Sequence, residues 1–327
     1  MKKFTLLILG MLGVLSVKAQ DPQFTQFYAN PLYLNPAFAG TAGGPRFVSN
    51  YRNQWPSISG SFTTYSFSYD QHFDGIGGGF GVQAWRDVAG DANLSTTNAS
   101  AMYSYQLNVS EDFAIKAGLQ ASFVQRDIDF GRLQFGDQID PRLGFVRPTQ
   151  ETFIDGEGTE QPMFADFSAG FMGFTEKFFF GFAVHHLAEP VQSFFGNPNS
   201  ILYRKYTAHA GMVLPLDNLR ESERYISPNI MYQRQGEFTQ VNLGAYYIHK
   251  AFVTGLWFRQ TAPNSDAVMA LIGLKLDPVK IGYSYDLTVS DARGAAPGSH
   301  EVSLILELQT YDRQKTQKWR KLRCPDF

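Results

Sequence analysis

The side chains best suited to metal binding form one close group, His185, His186 and Glu189. Imidazole and carboxylate groups are common zinc ligands. Adjacent residues of a β-strand point to opposite faces, so His185 and His186 can serve one site only if the strand has already ended. The ligand spacing of helical metal sites is also missing. We therefore predict no metal site and no cofactor.

The motifs of covalent catalysis and phosphate binding are missing as well. The sequence contains no Gly-x-Ser-x-Gly nucleophile elbow, no phosphate-binding glycine loop and no Cys-x-x-Cys pair. The glycine-rich stretch 77–81 lies inside an alternating segment, where close packing or sheet curvature explains it better. Cys324 is the only cysteine, so it has no intrachain partner. A hydrolase site on the wall of a β-barrel would need a serine and a histidine that face outward side by side, and we find no such pair in the sequence. We predict that the chain is not an enzyme.

The elements that must position any site are strands, because apolar and polar residues alternate along most of the chain. Tyr65 and Phe67 share one parity, while Ser66 and Ser68 share the other. Successive strand side chains point to opposite faces, so such a segment has one apolar wall and one polar wall. Aromatic residues make up 15% of the chain and charged residues 18%, with 30 glycines. This composition is typical of strands that meet lipid on one face and water on the other.

Fourteen segments carry this pattern. They lie near 46–53, 61–72, 76–87, 94–108, 112–127, 164–174, 178–187, 203–214, 224–234, 237–249, 251–260, 266–276, 278–288 and 300–309. An even number of strands places the first and last strand ends on the same side of the membrane. If that side is the periplasm, the long connections 128–163, 188–202 and 289–299 lie outside the cell. We therefore predict an all-β, closed transmembrane antiparallel β-barrel in the cell outer membrane, with periplasmic N- and C-termini. The rival is a soluble β-sandwich or barrel, which would rarely put so many aromatic side chains outward.

The first residues predict export. Lys2 and Lys3 precede a short apolar run, Phe4 to Val17, and Ala19 ends a tolerated cleavage site. The alternative is an uncleaved membrane anchor, but the run is shorter than the ~20 residues that a spanning helix needs. The predicted organisation is a signal peptide (1–19), a periplasmic N-terminal segment (20–45), a barrel (46–309) and a basic periplasmic tail (310–327).

A second signal lies just after the predicted cleavage site. Residues 20–40 are rich in aromatics and contain Asn-Pro at Asn30-Pro31 and again at Asn35-Pro36. Together with residues 51–55, Tyr-Arg-Asn-Gln-Trp, this stretch resembles the N-terminal signature of the PorP/SprF family, outer-membrane proteins associated with type IX secretion and gliding motility in the Bacteroidetes.

The resemblance implies specific partners. Proteins of that family are thought to bind large secreted adhesins with a type B C-terminal domain, to assist their export, and to hold them at the surface. They are also linked to a periplasmic lipoprotein ring of PorK/PorN or GldK/GldN type. We therefore expect an adhesin cargo, these secretion components and the lipid bilayer as partners, and no nucleic acid. A general pore or small-ligand transporter is the alternative, which a barrel alone would equally allow.

The aromatic N-terminal segment would be costly to leave free in water. We predict that it folds into the periplasmic mouth or the lumen as a plug or docking element. The predicted residues are Phe24, Phe27, Tyr28, Asn30, Pro31, Tyr33, Asn35 and Pro36.

Two further stretches are candidate contacts. Loop 128–163 holds six carboxylates between Asp137 and Glu160, against two arginines, which suggests a docking surface, a calcium site or a solvated loop; the calcium-loop ligand spacing is missing. The basic tail either docks on an acidic periplasmic partner or is a weakly ordered extension. Its basic residues are Arg313, Lys315, Lys318, Arg320, Lys321 and Arg323.

Overall fold

The computed structural model describes residues 21–140, 142–149, 161–217, 223–262, 267–289 and 298–308. Fourteen strands dominate this part of the chain. They are β1 Arg46–Gln54, β2 Phe62–Phe73, β3 Gly78–Ala89, β4 Leu94–Asn108, β5 Ala114–Asp127, β6 Met163–Phe174, β7 Phe178–His185, β8 Lys205–Met212, β9 Arg224–Gln235, β10 Phe238–His249, β11 Phe252–Ala262, β12 Ala267–Leu276, β13 Val279–Thr288 and β14 Gly298–Glu307. Their bounds differ from the predicted ones by no more than two residues, and the last strand begins at Gly298 rather than His300.

The strands form one closed antiparallel barrel. Each pairs with its neighbours in sequence, and β1 pairs with β14, in a register that places Arg46 opposite Glu307 and Gln54 opposite Ser299. Pairing of β8 with β9 completes the ring. Closure leaves no free sheet edge, which satisfies the backbone groups that lipid cannot satisfy. The prediction of a closed fourteen-stranded barrel is confirmed.

The alternating pattern separates an outer from an inner face. Tyr65 and Phe67 are each 52% exposed on the outside, whereas Ser66 and Ser68 are buried on the inside. The same division recurs around the ring, so a band of aromatic and aliphatic side chains covers the outer wall. Such a band is what a barrel presents to the hydrocarbon of a bilayer. Within the described residues, no helix is long and apolar enough to cross a membrane.

The two ends of the barrel differ. One end, which we call the turn mouth, carries short connections such as 175–177, 250–251 and 277–278. The other end, the loop mouth, carries the long connections 128–162 and 186–204. In the first of these, two-residue strands at Ile139–Asp140 and Gly144–Phe145 form a small hairpin.

The core of the molecule lies inside the barrel. Residues 21–45, which we call the N-terminal segment, pack against inward-facing side chains of strands from every part of the ring. The predicted signal peptide and basic tail lie outside the described residues, as do residues 150–160 of the acidic loop.

Candidate functional site

The N-terminal segment is built from three short helical turns. A 3-10 turn at Phe27–Ala29 is followed by a four-residue α-helix, Pro31–Leu34, and a second 3-10 turn, Pro36–Phe38. Each proline of the two Asn-Pro pairs begins a turn, where its fixed φ is suitable and its missing N–H costs nothing. The Asn35 side chain also accepts a 2.9 Å hydrogen bond from the backbone N–H of Ala37. The two Asn-Pro pairs thus set the compact shape of the segment.

Aromatic side chains of the segment pack on the inner wall. The Phe27 ring meets Trp257 of β11 edge to face at 4.7 Å between centroids. Tyr28 meets Phe179 of β7 in the same way at 5.7 Å. Phe38 is fully buried and stacks on His209 of β8 at 5.4 Å. Burial of each such side chain is worth about 1.5–3 kcal/mol, so this packing holds residues 27–38 against one side of the lumen.

A charged cluster holds the backbone of the segment on the opposite wall. The Glu301 carboxylate of β14 accepts hydrogen bonds from the backbone N–H groups of Thr25, at 2.6 Å, and Gln26, at 3.1 Å. Arg52 of β1 pairs with Glu301 at 3.3 Å and with Asp286 of β13 at 3.0 Å. All three charged side chains are almost completely buried. Buried charges of this kind require partners, and the segment supplies some of them.

Two asparagines attach the middle of the segment to the wall. Asn30 accepts a 2.9 Å hydrogen bond from Gln83 of β3 and donates one to Ser66 of β2. Asn35 donates to the backbone carbonyl of Phe171 in β6 at 3.1 Å. Both asparagine side chains are fully buried. Their amide groups are therefore matched to polar groups on different parts of the ring.

The end of the segment lies at the turn mouth, close to where β1 begins. The backbone N–H of Gly40 donates to Asp70 at 2.7 Å, and Asp70 also pairs with Arg46 at 2.8 Å. The carbonyl of Ala39 accepts hydrogen bonds from Ser104 and from the Lys116 ammonium, each at 2.7 Å. The bonds to Gly40 and Ala39 thus involve main-chain groups of the segment rather than its side chains.

Glycines in the strands leave room for the segment to lie directly on the wall. A Cβ atom added at Gly118 would lie 2.4 Å from the Ala37 nitrogen, and one at Gly79 would lie 2.1 Å from the Ala39 carbonyl oxygen. At Gly170, it would lie 2.1 Å from the Asn35 side-chain oxygen. No side chain larger than hydrogen fits these positions while the segment is in place.

The start of the segment lies at the loop mouth and is held by ion pairs. The Asp21 carboxylate contacts His186, just after β7, at 2.8 Å and Lys205, the first residue of β8, at 2.7 Å. The other nitrogen of His186 contacts Asp166 of β6 at 2.7 Å. Lys205 also lies over the Tyr33 ring, 4.7 Å from its centroid. The segment therefore runs from the loop mouth to the turn mouth. Its first residues and the beginning of β1 lie at opposite ends of the barrel, whereas the predicted organisation placed them on the same side.

These contacts shift two acid–base equilibria. Burial opposes protonation of His186, but the carboxylates of Asp21 and Asp166 prevail and raise its pKa to about 9. Burial likewise opposes ionisation of Asp21, yet His186 and Lys205 hold the pKa of this carboxyl well below its usual value. Both groups are thus charged at neutral pH, and the ion pair is in its attractive state.

The loop that His186 and Lys205 bracket folds over the lumen. Residues 187–204 are closed by a β-bridge between Val191 and Ile201. The inward-facing Arg126 of β5 donates to the Gln192 side chain at 2.8 Å and lies over the Phe194 ring at 5.4 Å. Phe130 of the neighbouring long connection meets Phe194 edge to face, with centroids 6.2 Å apart. The two long connections are therefore in contact.

All the predicted residues of the segment lie in or at the edge of the lumen. Seven of them are buried and Tyr33 is partly buried. The predicted plug function stays a prediction, as does the role of the tail residues, which lie outside the described part of the chain.

Sequence reasoning missed the charged residues that hold the segment. His185 and His186 drew attention only as possible metal ligands, although both are buried because the strand ends at His185. Among the described residues, no group of three or more metal-ligating side chains is arranged to hold an ion. The signal that could have found the ion pairs is weak: Asp21 is the second residue after the predicted cleavage site, with nothing local to show its partner.

Comparison with protein families gives one match over most of the chain. The family described as "Type IX secretion system membrane protein PorP/SprF" matches residues 16–306. Comparison with curated proteins finds no match.

Several solved outer-membrane barrels are similar in structure. The toluene transporter TbuX of Ralstonia pickettii has a TM-score of 0.51 at 9% identity, covering 85% of this chain and 93% of its own. The toluene transporter TodX of P. putida has a TM-score of 0.49 at 10% identity, with the same coverages. Omp33 of Acinetobacter baumannii has a TM-score of 0.45 at 7% identity, and the match covers 82% of this chain and 100% of Omp33. At such low identity, the likeness to TbuX shows the fold alone.

Proposed function

Because this chain belongs to the PorP/SprF family of type IX secretion system membrane proteins, we propose that it binds a large secreted adhesin and supports its export or surface anchoring. The chain is an outer-membrane β-barrel of that system. The more specific part of the proposal is that this adhesin is of the gliding type and carries a type B C-terminal domain. It follows from what the family resemblance implies.

The observation that supports this proposal is the position of the N-terminal segment inside the barrel. Fourteen strands enclose a lumen wide enough for solutes unless something fills it. Here Leu32, Phe38 and Ala39 of the segment are fully buried between the walls. A barrel filled by its own chain is better suited to docking a partner than to passing solutes. This favours the secretion role over a general pore or small-ligand transporter.

The loop mouth is our candidate surface for the cargo. Loops 128–163 and 188–202 contact each other through Phe130 and Phe194. Large apolar side chains are exposed there, including Leu143 at 78%, Phe145 at 61% and Phe195 at 57%. Exposed apolar side chains clustered on loops are common at protein interaction sites. Two neighbouring loops of this kind would give a partner a broad contact area.

Co-purification tests the assignment. We would replace residues 138–147 and 191–201 by short Gly-Ser linkers and isolate the tagged barrel from its own cell. The expected result is loss of a large adhesin that the wild-type barrel retains. Replacement of residues 56–60, a connection at the same mouth, is the matched control and should keep the adhesin. If the doubly replaced barrel still brings down the adhesin, the loops are not its docking surface.

Deletion of the gene tests the wider role. We expect a large adhesin to disappear from the secreted and surface proteomes of the deletion strain. A defect restricted to solute uptake would instead support the pore.

The basic tail is our candidate contact for the periplasmic ring of PorK/PorN or GldK/GldN type. The tail has six basic side chains but only two acidic ones, Asp312 and Asp326, so its net positive charge favours binding to an acidic surface. Changing all six to glutamine should reduce co-purification of ring lipoproteins while adhesin binding persists. Unchanged ring binding would rule the tail out.

A further inference from the structure

The Asp21 carboxylate joins two parts of the molecule that are far apart in sequence. It contacts His186 and Lys205, the residues that immediately precede and follow residues 187–204. Asp21 therefore bridges the two ends of this loop. The backbone N–H of Asp21 also donates to Gln235, the last residue of β9, at 3.2 Å. One residue of the N-terminal segment thus fixes the base of a loop at the loop mouth.

Other contacts also attach the loop to the rest of the mouth, among them the Phe130–Phe194 ring contact and a hydrogen bond from Gln235 to the carbonyl of Tyr203. Its Gln192 accepts hydrogen bonds from Arg126 through both its side chain and its carbonyl. The backbone N–H of Leu187 donates to the carbonyl of Phe167 at 2.9 Å. A force that moves the loop away from the lumen therefore acts on the Asp21 contacts directly.

The first residues of the segment are held differently from the rest. Residues 27–38 pack their aromatic side chains against the wall, as Phe27 and Phe38 show. The stretch 21–26 is held largely by polar contacts, which are the Asp21 ion pairs, the bonds of the Glu301 carboxylate, and side-chain hydrogen bonds of Thr25 to Asp286 and of Ser303 to Gln26. One aromatic contact adds to them, because the buried Phe24 ring meets Tyr33 edge to face at 4.9 Å. Loss of one partner of a buried ion pair leaves an uncompensated charge and strongly favours opening. Stretch 21–26 and residues 27–38 are thus held by contacts of different kinds.

From these contacts we propose that Asp21 couples the N-terminal segment to loop 187–204, so that a polypeptide which displaces this loop also releases residues 21–26 from the lumen. The proposal rests on the proposed function, because the secreted adhesin is the polypeptide that would engage the loop. The direction also reverses: release of residues 21–26 loosens the loop, since the coupling between two sites is reciprocal. Binding of a polypeptide at the loop mouth would thus be accompanied by release of residues 21–26.

Hydrogen exchange on the purified full-length barrel tests the coupling without any adhesin. Asp21→Asn should raise the exchange of the amides of Thr25 and Gln26 at least about fivefold, and that of the loop amides Gln192 and Leu202 by a similar factor. The amides of Phe38 and Gly40 serve as internal controls and should not change. Asp217→Asn, which breaks an exposed ion pair with Arg224 near the turn mouth, is the matched control.

A double-variant comparison then shows whether the two parts act as one unit. Replacement of residues 191–201 by a Gly-Ser linker should raise exchange at Thr25 and Gln26. Adding Asp21→Asn to it should then produce little further increase, because coupled residues are non-additive. If Asp21→Asn misfolds, judged by loss of heat-modifiable migration, Lys205→Gln takes its place. The coupling is wrong if Asp21→Asn leaves loop exchange unchanged, if the linker leaves exchange at Thr25 and Gln26 unchanged, or if the two effects simply add. That outcome would leave adhesin co-purification, which tests the proposed function separately, unaffected.

Discussion

The Glu301 carboxylate, on the last strand of the barrel, accepts a 2.6 Å hydrogen bond from the backbone N–H of Thr25, which lies 276 residues earlier in the chain. Arg52 of the first strand shares that carboxylate. The closing seam between β1 and β14 and the N-terminal segment therefore depend on the same buried charge. Filling the lumen and closing the ring are linked.

The first prediction concerns this carboxylate. Glu301→Gln removes one of the two carboxylate charges that compensate Arg52, at a cost of about 3 kcal/mol, so exchange of the Thr25 and Gln26 amides should rise about 100-fold. Hydrogen exchange with mass spectrometry measures it. Glu223→Gln is the control, because Glu223 and its partner Lys250 are both exposed and such pairs contribute at most about 1 kcal/mol. Equal exchange in the two variants would show that Glu301 does not hold the segment.

The second prediction concerns the close approach of the segment to the wall. Gly118→Ala places a methyl group against the backbone of Ala37, which must shift at a cost of about 1–3 kcal/mol. Amides of residues 37–40 should then exchange faster. Gly75→Ala is the control, since a Cβ there meets nothing within 4 Å. If Gly118→Ala leaves these amides as protected as in the control, the segment does not lie on this wall.

The third prediction concerns pH. The pKa of His186 is raised to about 9 in the folded protein, so its stabilisation is fully present below pH ~6.5, the usual histidine pKa, and is lost as pH rises through 9. The charged or titratable groups around it are Asp21, Asp166, His185 and Lys205. Residues 21–26 should therefore become mobile between pH 7 and 10.

A nitroxide label measures this mobility without depending on pH itself. We would attach it at Gln23→Cys in a Cys324→Ser background. The mobile fraction should grow through pH 9, whereas His186→Gln should make the label mobile already at pH 7. His300→Gln, on the outer wall, should behave like the parent. A spectrum that stays constant to pH 10 would contradict the role of His186.

The fourth prediction concerns orientation. We expect the loop mouth to face the outside of the cell, because long connections of outer-membrane barrels lie there. In the Cys324→Ser background, an impermeant maleimide should label Asn199→Cys on intact cells, but Glu111→Cys at the turn mouth only after lysis. Both positions are exposed. The reverse pattern would invert the barrel and place the proposed cargo loops in the periplasm.

The sequence alone was sufficient to predict the strands and the closed barrel. The alternation of Tyr65, Ser66, Phe67 and Ser68 has a period of two, and that period states which side chains face in and which face out. It does not state which inward side chains meet across the lumen. The contacts of Asp21 with His186, 165 residues away, and of Thr25 with Glu301 therefore could not be predicted.

The inward glycines show the same limit. The sequence around residues 77–81 indicated close packing without identifying the neighbour, which is the backbone of Ala39 and Gly40 at Gly79. For the adjacent histidines, the alternation rule correctly required a strand end before both could turn inward. The strand does end at His185, but the partners of His186 are two carboxylates, Asp21 of the N-terminal segment and Asp166 of β6.

The conductance of the purified barrel in planar bilayers tests most directly whether the N-terminal segment fills the lumen. A filled lumen is the basis for proposing that the barrel docks cargo rather than passes solutes. We predict that the full-length protein stays closed to small ions and that a variant lacking residues 22–40 shows a large, steady conductance, with both proteins migrating as heat-modifiable folded barrels. A full-length barrel that already conducts as a wide pore, with conductance unchanged by the deletion, would contradict this account.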